Sequence, residues 1–167
     1  MPGLTPSQTV GPFFHIGLVV PGGDRLADES TVGRLVAVEG GVADGAGQPL
    51  SDALIEIWNP SLKAFGRVAT DASGRFAFTT VMPGRVPGPH DSWQAPHLVV
   101  GIFARGVLTR LATRMYFDDD GANREDAILA LVPAGRRGTL VAKPIGADRY
   151  RFDIVLQGKN ETVFFDV

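Results

Sequence analysis

The stretch Pro96-His97-Leu98-Val99-Val100-Gly101-Ile102-Phe103-Ala104-Arg105 follows a loop rich in Pro, Gly and Trp and reads as a β-strand. Side chains two apart on a strand share a face. A His-x-His pair at this place aims two imidazoles at one metal ion. Here the second position is Val99, which has no lone pair to donate. The stretch has the scaffold of a metal site with an incomplete set of ligands.

On either side the chain keeps the same texture. Leu35–Ala43, Ala53–Trp58, Gly66–Thr70 and Arg75–Val81 read as strands, with Asp44-Gly45-Ala46-Gly47 and Asp71-Ala72-Ser73-Gly74 as turns between them. Residues 82–96 carry Pro83-Gly84, Pro87-Gly88-Pro89 and Ala95-Pro96, which oppose regular ladders. Leu108–Phe117 reads as the next strand, ended by Asp118-Asp119-Asp120-Gly121. Asn123–Leu131 is the one helix candidate, stopped before Pro133. Leu140–Ala142 and Tyr150–Leu156 are strands. In the latter Tyr150, Phe152, Ile154 and Leu156 alternate with Arg151, Asp153 and Val155. Many short strands, turn signals and a single short helix predict an all-β chain with an antiparallel β-sandwich core over residues 35–167. Residues 1–34 lack periodicity but contain Phe13, Phe14, Ile16 and Leu18, so they read as an extended N-terminal arm that packs on its own body or on another chain. No second domain is expected.

The 167 residues are 44% hydrophobic, enough for one sizeable core. A net charge of -2, with only Arg136-Arg137 as a local basic pair, argues against nucleic acid as a partner. The absence of Cys excludes disulfides, Cys-zinc sites and a Cys nucleophile. Met1-Pro2-Gly3-Leu4-Thr5-Pro6 lacks a basic and apolar leader, and the apolar run Leu98–Leu108 is interrupted by Arg105 and too short to span a bilayer. A soluble, cytoplasmic protein is the expectation.

Chemistry-bearing residues are few. His15, His90 and His97 are widely spaced, with no tight ligand cluster around them. His97 reads as a strand histidine hydrogen-bonded inside the sandwich, and Tyr116 and Tyr150 as edge or core aromatics. Asp118-Asp119-Asp120-Gly121 lacks calcium-loop spacing and fits a turn with a helix cap. No Gly-x-Ser-x-Gly elbow or phosphate loop is present. Arg105 interrupts an apolar strand before Gly106. It is either a strand-end salt bridge or a cation at the mouth of an anion-binding pocket.

Thr5-Pro6-Ser7-Gln8-Thr9-Val10-Gly11-Pro12-Phe13-Phe14-His15-Ile16-Gly17-Leu18 resembles the opening of the intradiol ring-cleaving dioxygenases, as do Leu54-Ile55-Glu56-Ile57-Trp58, Thr70-Asp71-Ala72-Ser73-Gly74-Arg75-Phe76 and Ala95-Pro96-His97-Leu98. Phe103-Ala104-Arg105-Gly106, Thr113-Arg114-Met115-Tyr116-Phe117-Asp118-Asp119 and the tail from Tyr150 to Asp166 resemble the alpha-type subunits of that family. Catalytic chains of the family hold Fe(III) with two Tyr and two His. Against that pattern, residues 59–65 offer no Tyr, the position after Pro83-Gly84-Arg85 is Val86, and only His97 remains of the His pair. The resemblance therefore implies no catalytic and no metal-binding residue here, with Fe(III) held by a partner beta subunit in an alpha-beta hetero-oligomer. It implies a reaction in which O2 cleaves an aromatic diol, 3,4-dihydroxybenzoate, to 3-carboxy-cis,cis-muconate. Thr9, Gly11, Pro12, Phe13 and Arg105 are the residues it carries over as substrate-binding, reaching the partner's pocket. Phe13 departs from the usual Tyr and lacks its hydroxyl. The rival reading is a non-enzymatic, transthyretin-like β-sandwich binding module.

Overall fold

The computed structural model describes Gly11 and residues 14–166. Eleven strands form: β1 (Leu35–Ala43), β2 (Leu54–Asn59), β3 (Ala64–Ala69), β4 (Arg75–Val81), β5 (Val86–Pro87), β6 (Trp93–Gln94), β7 (His97–Phe103), β8 (Leu111–Phe117), β9 (Val141–Gly146), β10 (Arg149–Arg151) and β11 (Ile154–Val155). Two short α-helices, α1 (Phe14–Gly17) and α2 (Ala127–Leu131), and three 3-10 turns complete the described residues. The chain is all-β.

Nine strands join in one folded sheet. One wing runs β4-β1-β10-β9 and the other β9-β8-β7-β2-β3, with β11 alongside β1. Strand β9 is the seam: Val141 and Ala142 pair with β8, whereas Lys143, Pro144 and Gly146 pair with β10. The wings close on a common core. Val36, Val38, Phe76, Phe78, Tyr150 and Phe152 from one side meet Ile55, Ile57, Leu98, Val100, Ile102, Met115 and Phe117 from the other. β1 supplies its part through strict alternation, burying every second residue from Val36 to Val42.

The sheet is mixed, whereas the sequence suggests antiparallel pairing throughout. β1 runs parallel to β10 and to β11, and β8 parallel to β9. Parallel neighbours need a long crossover. Residues 118–140 supply one between β8 and β9, through the 3-10 turns and α2. The helix expected over Asn123–Leu131 is divided. A 3-10 turn covers Gly121–Glu125, Asp126 is extended with φ -72° and ψ 117°, and α2 starts only after it. The Tyr150–Leu156 strand is divided as well, into β10 and β11 around Phe152. The loop at 82–96 contains a two-residue hairpin of β5 and β6. Within the N-terminal segment, Arg67 N donates to Gly23 O, Leu26 N to Thr79 O and Thr79 N to Asp24 O, which stitches residues 23–26 onto β3 and β4.

Gly40 sits where β1 passes closest to the segment joining β10 and β11. A Cβ there collides with the Phe152 carbonyl and comes within 2.8 Å of the Phe76 ring. Gly40→Ala is expected to cost about 3 kcal/mol or more, since backbone cannot yield as a side chain does. Gly84→Ala meets nothing nearer than 3.9 Å and should stay within about 0.5 kcal/mol of the parent. Urea denaturation of both variants tests this pair. Similar midpoints for the two would contradict the assigned crossing at Gly40.

Candidate functional site

Strand β7 turns Leu98, Val100 and Ile102 into the core, so His97, Val99 and Gly101 lie on the opposite face. Register sets their neighbours. His97 faces Tyr116, and Val99 lies between Arg114 of β8 and Trp58 of β2, which in turn faces Phe65 of β3. The result is a cross-sheet row Phe65–Trp58–Val99–Arg114. Trp58 is 39% and Phe65 50% exposed, a large apolar surface for a water-facing row. The Arg67 guanidinium lies 5.1 Å from the Phe65 ring centre.

Below the row lies a buried polar knot. Asp126 is 1% exposed and accepts four hydrogen bonds: from Ala95 N (2.7 Å), Tyr116 OH (3.1 Å), Ile128 N (3.0 Å) and Leu129 N (2.7 Å). The last two cap α2. Arg114 Nη1 donates to Gln94 Oε1 at 2.6 Å and approaches the Tyr116 hydroxyl at 3.5 Å. Buried His97 donates from Nδ1 to Ala95 O at 2.8 Å, which a carbonyl partner requires. The reading of His97 as a hydrogen-bonded strand histidine matches this contact.

Desolvation dominates the protonation of the knot. Burial pushes the Tyr116 hydroxyl well above the ordinary tyrosine range, and Asp126 adds to this while Arg114 opposes it. Burial lowers the His97 pKa, the Arg114 charge acts the same way, and the Ala95 hydrogen bond and Asp126 oppose it. Among the described residues no group of three or more His, Cys, Asp or Glu is placed to hold a metal ion. His90 is an exposed residue of the 3-10 turn Pro89–Asp91, with φ 54°. The donors around Val99 do not fit a Tyr/Tyr/His/His ferric site. Val86 lies in β5 paired with Gln94, and Val99 has no donor atom.

On the next row, Glu56 is clamped by Arg67, with Nη2 at 2.6 Å and Nε at 2.9 Å from Oε1, and by Arg110 Nε at 3.3 Å from Oε2. Between Arg110, Arg114, Val99, α2 and the tail opens a cleft of about 590 Å³, walled by Ile128, Leu131, Val132, Val163 and Phe165.

Of the substrate-binding residues drawn from the sequence, Arg105 does not line this cleft. Arg105 stands at the far end of β7, 70% exposed on its side chain, with Nε 3.4 Å from Asp52 Oδ2. Asp118 and Glu125, the obvious acidic candidates along the sequence, are engaged by Lys143 and Arg85 instead. Gly11 has φ 82° and open space where a Cβ would be. Thr9, Pro12 and Phe13 lie outside the described residues. Asp126 and Arg114 were not singled out from sequence. Arg114 alternates with buried Thr113 and Met115, a weak signal that a polar group faces a lined surface, but its neighbours depend on register.

The Dioxygenase family profile matches residues 59–158. The chain is 42% identical to the protocatechuate 3,4-dioxygenase alpha chain of Burkholderia cepacia, across 98% of this chain and 97% of that one. It is 31% identical to the beta chain of the same enzyme from that organism, across 78% of this chain and 68% of the other. Among solved structures it superposes on the dioxygenase domain of a dioxygenase carbohydrate-binding fusion from Streptomyces sp. SirexAA-E with a TM-score of 0.66 and 28% identity, covering 93% of this chain and 99% of that one. Among the described residues no helix is long and apolar enough to cross a membrane.

His97 gives a pH signature whose sign follows from its lowered folded pKa. Between that value and the ordinary 6.5 the unfolded chain binds more protons, so native stability falls as pH drops below about 6.5. His97→Gln should flatten the stability profile between about pH 7 and pH 5. Unfolding free energies across that range test this, and parallel slopes for parent and variant would remove His97 as the titrating group.

Proposed function

This chain belongs to the dioxygenase family and is an oxidoreductase subunit, and we propose that it serves as the iron-free alpha subunit of a protocatechuate 3,4-dioxygenase. The observation that carries this reading is the donor set around Val99. The scaffold of a His-x-His strand is intact, yet the second position is a valine, and the phenol opposite His97, Tyr116, donates its hydroxyl to Asp126. End-to-end similarity to a relative named as an alpha chain supports the same assignment.

In this reading Fe(III) resides in a beta-type partner and supplies the reactivity toward O2 there. This chain contributes surface and shape. Similarity to both named chains supports pairing of two related subunits about a pseudo-twofold. The exposed row of Phe65, Trp58 and Val99 is apolar enough to lie in such an interface. The arm residues Thr9, Gly11, Pro12 and Phe13 extend toward the partner's pocket, where Arg105 faces the ionised ring carboxylate of protocatechuate. Arg105 suits that task because its guanidinium is exposed and, among the described residues, is tied to the body by a 3.4 Å contact to Asp52. A cytoplasmic setting belongs to the same proposal. A transthyretin-like binding module is the weaker reading, because the match to dioxygenases spans residues 59–158 and beyond.

Purified alone and supplied with ferric iron, the chain should show neither the visible tyrosinate-to-iron band nor ring cleavage. Co-expressed with an iron-bearing beta-type chain, it should enter an active hetero-oligomer. A coloured, active chain on its own would end the alpha-subunit reading, and a stable monomer that ignores the partner would favour the binding module.

Arg105→Ala in the assembled complex should raise KM for protocatechuate about five- to thirtyfold, the worth of one exposed or water-mediated charged contact. Catechol, which lacks the carboxylate, should change little. If kcat/KM drops equally for both, Arg105 acts only through Asp52 and the strand end.

A further inference from the structure

The cleft is continuous with the exposed row of Phe65 and Trp58, because Val99 and Arg114 belong to both. Leu131, at the end of α2, stands on its wall and is 79% exposed. Together the row and the wall form an apolar surface of the kind that marks a contact with another chain. Two guanidiniums stand within it, and they differ in how they are balanced. Arg110 crosses Gly101, where a Cβ would come within 2.5 Å of Nε, and it is held by Glu56 together with Arg67. Arg114 is half-buried. Its Nη1 donates to Gln94 and approaches the Tyr116 hydroxyl, both neutral, and among the described residues no carboxylate lies within ion-pair distance of it. Asp166 lies exposed at the rim. A cation half-removed from water gains from a charge-assisted bond to a carboxylate. The apolar walls require that carboxylate to come on an apolar body. A second copy of this chain is a poor source of it. The face carries Arg67, Arg110 and Arg114 against Glu56 and Asp166, an excess of positive charge. A twofold contact through this face would bring the same excess from both sides, and like charges set together oppose a wrong pairing. A chain of related fold but different residues here is free to carry the complementary charge.

We propose that the cleft docks an apolar segment of the beta-type partner that carries an Asp or Glu, with its carboxylate on Arg114 and its apolar side chains against Leu131 and Trp58, and that Arg114 thereby selects the mixed pair over a pair of identical chains. The inference rests on the subunit assignment and deepens it: it names the chemistry that the partner presents and the residue that discriminates between partners.

The test measures the affinity of the full-length chain for an iron-bearing beta-type chain at several salt concentrations, beside sedimentation of this chain alone. Arg114→Gln should weaken the pair about tenfold or more and flatten its salt dependence. Arg114→Lys, which keeps the charge, should keep the salt dependence. Lys159→Gln, the same loss of charge at an exposed residue outside the cleft lining, should change neither. Leu131→Ser should weaken the pair about fivefold or more, and it serves if Arg114→Gln does not fold, because Leu131 is exposed. Parental affinity and salt dependence in Arg114→Gln, an unaffected Leu131→Ser variant, or a homodimer of the parent that Leu131→Ser dissolves would each overturn the proposal while leaving the subunit assignment standing. A parent chain that binds no beta-type partner would overturn that assignment and the proposal with it.

Discussion

A carboxylate at Asp126, almost sealed from water, is the constraint on which the rest of this face depends. Burying an ionised group is tolerable only when hydrogen bonds replace its hydration. Asp126 achieves this by gathering donors from three places: Ala95 ahead of β7, Tyr116 near the end of β8, and the first amides of α2. The need to satisfy one anion thereby fixes where a strand begins, where a ring sits and where a helix starts. Tyr116 passes the constraint onward to Arg114, and α2 becomes a wall of the cleft. The break in the expected helix at Asp126 follows from the same cause, because a residue whose side chain caps a helix stands outside it.

The division of labour across the sheet separates the packing of the core from the chemistry of the outer face. The core is made by Leu98, Val100 and Ile102 and their partners on facing strands. Val99 and His97 occupy the alternate face. A residue exchanged at position 99 alters the chemistry of the outer surface and leaves the interior packing as it was. What occupies that surface instead is a layer of arginine and glutamate: Glu56 between Arg67 and Arg110, with Arg114 on the adjoining row. Glu56 is itself nearly buried, so its double clamp is what makes a carboxylate tolerable in the middle of a strand.

Much of the architecture was legible in local pattern. The alternation in Tyr150, Phe152 and Ile154 marks three residues that are all buried in the common core. The Asp71-Ala72-Ser73-Gly74 turn is held by the Asp71 side chain and by Gly74 at φ 73°, the chemistry its composition signals. Other features were not legible. Parallel pairing of β1 with β10 joins segments more than a hundred positions apart, and nothing in either segment announces the other. The strand expected over Tyr150–Leu156 divides because β1 offers it two separate docking stretches around Gly40.

By itself the sequence determined which side chains of a strand share a face, where turns fall and that position 99 carries a valine, because each of these depends on residue identity and on spacing along one strand. The tertiary structure alone decided which residues share a site. Arg105 pairs with Asp52 rather than with Asp118 or Glu125, and Arg114 meets Gln94 and Tyr116 beside Val99. Such neighbours are set by strand register and by the crossover through α2, and a shift of one residue in register turns every side chain to the other face.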